Sequence, residues 1–108
     1  MLTSANREVS AMPTYVTLFR YTQKGIENVK DSPARLDAAK KAMAAAGGSL
    51  KAFYLTTGQY DAIAIAEFPD DQTMAKAALA GGAQGFVRSE TLRAFTEDEY
   101  RQIIASLP

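Results

Sequence analysis

The run Tyr60–Phe68, YDAIAIAEF, constrains the fold of this chain more than any other stretch. In an extended strand alternate side chains fall on opposite faces, so Ile63 and Ile65 point one way while Ala62, Ala64, Ala66 and Phe68 point the other. Both sets are apolar, and a strand that is apolar on both sides is normally buried on both sides. The sheet that contains it therefore needs a cover on each face.

The rest of the chain supplies one such cover. Thr14–Tyr21 (TYVTLFRY) is rich in β-branched and aromatic residues and reads as a first strand, with Tyr15, Thr17, Phe19 and Tyr21 on one face and Val16, Leu18 and Arg20 on the other. A loop around Gly25 leads to Asp31-Ser32-Pro33. There Ser32 is suited to cap a helix and Pro33 to open it, and Leu36, Ala39, Met43 and Ala46 follow at helical spacing until Gly47-Gly48 stops the run. Ser49–Thr57 and Tyr60–Phe68 form an antiparallel hairpin, expected to turn tightly in a II′ geometry at Gly58-Gln59. Pro69-Asp70-Asp71 offers a carboxylate cap for a second helix ending at Gly81-Gly82, and Gly85–Phe95 is the last strand. Thr96-Glu97-Asp98-Glu99 has capping-box spacing, and Tyr100, Ile103, Ile104 and Leu107 then mark an amphipathic C-terminal helix.

The element order βαββαβ plus a helix is that of the α+β ferredoxin-like fold. In sheet order 4-1-3-2 both crossovers can be right-handed, and the first strand (Thr14–Tyr21) and the third (Tyr60–Phe68) are central neighbours, expected to run parallel. The crossover helices cover one face only. The other is expected to meet the matching face of a second protomer, with the last helix helping at the edge. A chain of 108 residues fits one domain, assigned to residues 12–108 after a loose extension at 1–11, with Met12 as a second possible start.

Composition narrows the chemistry. Twelve basic residues balance twelve acidic ones, so no net field draws in nucleic acid or anionic lipid. Histidine and cysteine are absent, which removes the commonest general base, the usual haem ligand and every thiolate function. No cofactor and no metal are expected: Asp70-Asp71 reads as a cap rather than a calcium loop. No apolar run reaches the roughly 20 residues of a membrane helix, and the first residues lack the apolar centre of a secretory signal, so a cytoplasmic location is expected.

The candidate site lies at the hairpin, where Tyr60 and Asp61 place a phenol beside a carboxylate. The pair suits proton transfer, but a packed rim and a backbone-capping aspartate account for it more simply. Arg20 and Glu67, taken as lying at one end of parallel neighbours, form a candidate ion pair that could orient a polar ligand. Tyr15, Phe19, Tyr21, Phe53 and Tyr54 could line a cavity for a flat molecule. Arg88, Glu90 and Arg93 read as charges on a half-exposed edge strand.

The string T-G-Q-Y-D (Thr57–Asp61), with the Tyr15–Thr22 strand, Gly25-Ile26 and the Thr91–Phe95 segment, resembles the GYD domain family from Met12 onward. The resemblance implies a dimeric α/β barrel, two ferredoxin-like sheets packed face to face. It brings no established activity, and fold analogy supplies none. The expected function is a homodimer, or higher homo-oligomer, that binds or senses a small molecule through Tyr60, Asp61, Arg20, Glu67 and Tyr54. The alternative is a cofactor-independent monooxygenase or isomerase acting on a small planar acid, with Asp61 as base and a tyrosine hydroxyl steadying the anion. RNA binding shares the element order but needs stacking aromatics on the central strands and a basic surface, and YDAIAIAEF carries aromatics only at its ends.

Overall fold

In the computed structural model, which describes residues 12–108, the elements run β1 (Thr14–Tyr21), α1 (Gln23–Glu27), a 3-10 turn (Val29–Asp31), α2 (Ser32–Ala45), β2 (Ser49–Leu55), β3 (Ala62–Glu67), α3 (Asp71–Ala83), β4 (Val87–Ala94) and α4 (Glu97–Ala105). The sheet order is β2-β3-β1-β4, and every neighbouring pair is antiparallel. This is the ferredoxin-like α+β arrangement. The expected extension at residues 1–11 lies outside the described residues.

Residues opposite one another in an antiparallel pair share a face. Tyr15 opposite Ala66 and Phe19 opposite Ala62 therefore line the helix side, where Tyr15, Ala62, Ala64, Ala66 and Phe68 are buried. Met43 of α2 with Met74 and Ala77 of α3 pack against the Tyr15–Phe68 centre, in which the two rings meet edge to face at 5.8 Å. On the other side Val16, Leu18, Ile63, Ile65, Ala52 and Leu92 form a continuous apolar surface. Leu92 there is 51% exposed and Tyr54 58%. The two-sided β3 thus has cover on one side within its own chain.

The helix signals are kept in part. Asp70 caps α3 by accepting the Thr73 N–H at 2.8 Å. Thr96 and Glu99 close a full capping box on α4, with Thr96 N–H to Glu99 at 2.8 Å and Glu99 N–H to Thr96 at 3.2 Å. Gly47, at φ +85°, ends α2. Ser32 is not a cap: the preceding 3-10 turn carries the chain into α2 without a side-chain bond from Asp31, and Ser32 becomes the first helical residue. Likewise α3 runs through Gly81-Gly82 to Ala83, and the positive φ needed to leave it falls on Gly85. The loop around Gly25 holds α1, whose cap Thr22 accepts the Gly25 N–H at 3.1 Å. Gly25 sits against the start of β4 so closely that a Cβ would lie 2.0 Å from the Phe86 carbonyl oxygen.

Two expectations about the sheet are corrected. The β2–β3 connection is not a two-residue II′ turn but six residues, Thr56 to Asp61. Thr56 closes it, its N–H reaching the Asp61 carbonyl at 2.9 Å and its hydroxyl the Tyr60 carbonyl at 2.6 Å. The strands β1 and β3 run antiparallel, because the β2–β3 hairpin reverses the direction set by the β1–α2–β2 crossover.

The C-terminal helix, expected to help at the edge of the open face, buries none of its apolar stripe in its own chain: every residue from Tyr100 to Pro108 is exposed. Its apolar stripe, Tyr100, Ile103, Ile104 and Leu107, is 43–61% exposed.

Candidate functional site

Of the sequence-predicted residues, Arg20, Tyr54 and Glu67 stand at open-face positions, Arg20 and Glu67 at opposite ends. Arg20 lies opposite Arg88 on β4. The Arg20 guanidinium stacks over the Tyr60 ring at 4.7 Å, and its Nε donates to the Gln59 carbonyl at 3.0 Å. The Tyr60 hydroxyl reaches across β1 to the Glu90 carboxylate, 3.2 Å from each oxygen. The hairpin loop is therefore tied to β1 by Arg20 and to β4 by Glu90.

Asp61 belongs to the backbone. Its N–H donates to the Phe19 carbonyl at 2.8 Å, and its carboxylate accepts the Tyr21 N–H at 2.8 Å. The side chain thus extends the β1–β3 ladder one residue past the end of the regular strand, the capping role that short acidic side chains fill in turns. Gly58, at φ +101°, allows the loop to turn back, and nothing lies within 4 Å of where its Cβ would be. Glycine, tyrosine and aspartate here fasten one end of the sheet. Neither of the two grooves beside α3 has Tyr60 or Asp61 in its walls.

The Arg20–Glu67 ion pair does not form. With β1 and β3 antiparallel, Glu67 stands opposite Thr14, about 20 Å along the strand from the Arg20 end. Its carboxylate faces Lys51 instead, at 3.5 Å. Tyr54 lies on the open face beside Ile63 rather than with Tyr15, Phe19 and Phe53. The cause is an irregularity between Leu50 and Ala52, a bulge that inserts one residue and exchanges the faces of everything after it.

Sequence reasoning missed a second polar contact. The Tyr15 hydroxyl donates to the Asp71 carboxylate at the start of α3, and Tyr15 is 1% exposed. Burial, the bond to Asp71 and the charge of Asp71 together push the Tyr15 phenol up to about 12. The two residues stand 56 positions apart, so no local spacing marks the pair; only the fold joins them. Glu90, read as an edge charge, proves to be the anchor of Tyr60.

Two grooves flank α3. One, of about 330 Å³, separates α2 from α3 and is walled by Ala39, Ala42, Met43, Phe68 and Ala77 with Lys76 among the lining residues. The other, about 700 Å³, lies between α3 and β4. Among the described residues no group of three acidic side chains is placed to hold a metal ion, and no helix is long and apolar enough to cross a membrane.

A sequence profile of the GYD domain matches residues 15–104. The chain belongs to the GYD domain family. One relative, from Thermus thermophilus, is named glutamine synthetase and cystathionine beta-lyase binding protein. It is 31% identical over 84 residues, which span 77% of this chain and 88% of the relative. A crystal structure of TTHA0845, also from Thermus thermophilus, is 26% identical and aligns with a TM-score of 0.49, covering 79% of this chain and 95% of that one. In this GYD domain Asp61 and Tyr60 hold the β2–β3 loop to β1 and β4, and Gly58 supplies the positive φ at which it turns back.

Proposed function

We propose that this GYD domain is a binding protein, active as a homodimer, whose target is a metabolic enzyme. The observation that carries this reading is the open sheet face: Val16, Leu18, Ile63, Ile65 and Leu92 form one apolar surface of the kind monomeric proteins rarely leave bare. Pairing with the same face of a second copy covers it through an isologous contact. Tyr60 and Asp61, committed to contacts that hold the loop, fit a binding role better than an acid–base one. The relative's name supplies the first targets to try, glutamine synthetase and cystathionine beta-lyase.

Sedimentation equilibrium tests the pairing: the wild-type chain runs as a dimer, and Leu18→Asp or Ile63→Asp runs as a folded monomer. Calorimetric titration against purified glutamine synthetase, and separately against cystathionine beta-lyase, tests the target. A monomeric wild-type chain, or the absence of heat with both enzymes, refutes the corresponding half.

A second reading, a small-molecule ligand, is favoured by the groove between α2 and α3. Its volume falls in the range of ligand pockets, its walls are mostly alanine and methionine, and Lys76 offers a charge to an anionic head. A thermal-shift screen of small organic acids, repeated with Lys76→Ala, checks it.

A further inference from the structure

The helix α4 is well capped yet buries none of its residues from Tyr100 onward. A nine-residue helix is too short to persist alone in water, where roughly 12–15 residues are marginal even for favourable sequences. It requires a surface that its own domain does not provide.

Charge marks where the helix goes. Arg20 and Arg88 stand directly opposite one another at one end of the open face, a like-charge pair that destabilises a sheet unless a counter-charge arrives. Among the described residues neither forms an ion pair. At the start of α4 three acidic residues follow in sequence. Glu97 pairs with Arg101 at 2.8 Å and Glu99 serves the capping box, leaving Asp98 as the uncommitted carboxylate.

We propose that α4 docks on the second copy of the chain, carrying Asp98 to the partner subunit's Arg88. The proposal rests on the face-to-face pairing above. A two-fold axis lying across the strands superposes β4 on the partner's β4 in the opposite direction, so the Ala94 end of one strand meets the Arg88 end of the other. The helix that begins three residues past Ala94 then arrives at the paired arginines. Just beyond that end each subunit exposes Ile26, 53%, and Val29, 40%, which the stripe of Ile103, Ile104 and Leu107 is suited to cover.

Charge exchange tests the contact. Asp98→Lys and Arg88→Asp, each alone, weaken the dimer by about tenfold or more, as loss of a close interfacial charge pair does; the chain carrying both returns to within about threefold of the wild type. Circular dichroism confirms that each variant is folded. A spin label at Ile104→Cys, the sole thiol in a chain without cysteine, broadens the amide signals of Ile26 and Val29 in isotope-labelled partners mixed with it. If the wild type is a dimer that Leu18→Asp dissociates, yet the charge variants change nothing or the double variant is additive, the helix docking is overturned and the sheet pairing stands. A monomeric wild type overturns both.

Discussion

The hydroxyl of Tyr15, on the buried face of β1, donates to the carboxylate of Asp71, the first residue of α3. This one bond joins the centre of the sheet to the helix that follows β3. The phenol's ordinary value of 10.0 is raised to about 12 in the fold, chiefly because burial disfavours the phenolate. Folding therefore favours the protonated form. The stabilisation from this group is complete below pH 10.0, and it falls away as pH rises from there through about 12. Urea midpoints for the wild type should drop across that window, and those of Tyr15→Phe should drop less. At neutral pH Tyr15→Phe should lose about 1–2 kcal/mol.

Asp61 should behave as a structural cap. Replacing it with alanine strands the Tyr21 N–H and should cost about 1–2 kcal/mol in denaturant unfolding. Asp61→Asn keeps an accepting oxygen and should cost less than half as much. Partner binding by Asp61→Asn should match the wild type within about twofold, because the carboxylate's charge is not what the loop uses.

Two glycines should fail for different reasons. Gly25→Ala forces a Cβ into the Phe86 carbonyl, a backbone group that cannot swing aside, and should destabilise by roughly 3 kcal/mol or more. Gly58→Ala meets no atom and should cost only the left-handed conformation, about 1–2 kcal/mol. Melting temperatures should therefore fall further for Gly25→Ala than for Gly58→Ala.

The cap of α3 should be acid-sensitive. The Thr73 backbone and hydroxyl bonds hold the Asp70 carboxyl below its usual range. Its contribution is present above the ordinary value of 3.8 and disappears as pH falls through the lower, folded value. Asp70→Asn, whose amide oxygen still accepts the Thr73 N–H, should flatten that part of the acid unfolding curve.

Much of this architecture is written locally. Alternation in TYVTLFRY and YDAIAIAEF fixes which side chains share a face, and Asp70 and Thr96 announce helix starts by the bonds they make to backbone three residues on. What depends on distant pairing is not. The direction of β1 against β3 decides whether Arg20 meets Glu67, and it follows from topology, not from either strand. The bulge at Lys51 has no residue signature, yet it moves Tyr54 to the open face and Phe53 to the helix side. The partnership of Tyr60 with Glu90, thirty positions apart, depends on β4 lying beside β1. Tyr60 and Asp61 could be picked out as a site from the sequence; that they serve as fasteners could not.

The loop from Thr56 to Asp61 has a consequence for engineering. Its tyrosine and aspartate are committed to partners inside the fold, so the motif behaves as a fixed frame. Recognition can then be rewritten on the exposed alanine walls of α2 and α3 while the frame and α4 are left alone, and a library that spares Gly58, Tyr60, Asp61, Arg20 and Glu90 should keep its members folded as their targets change.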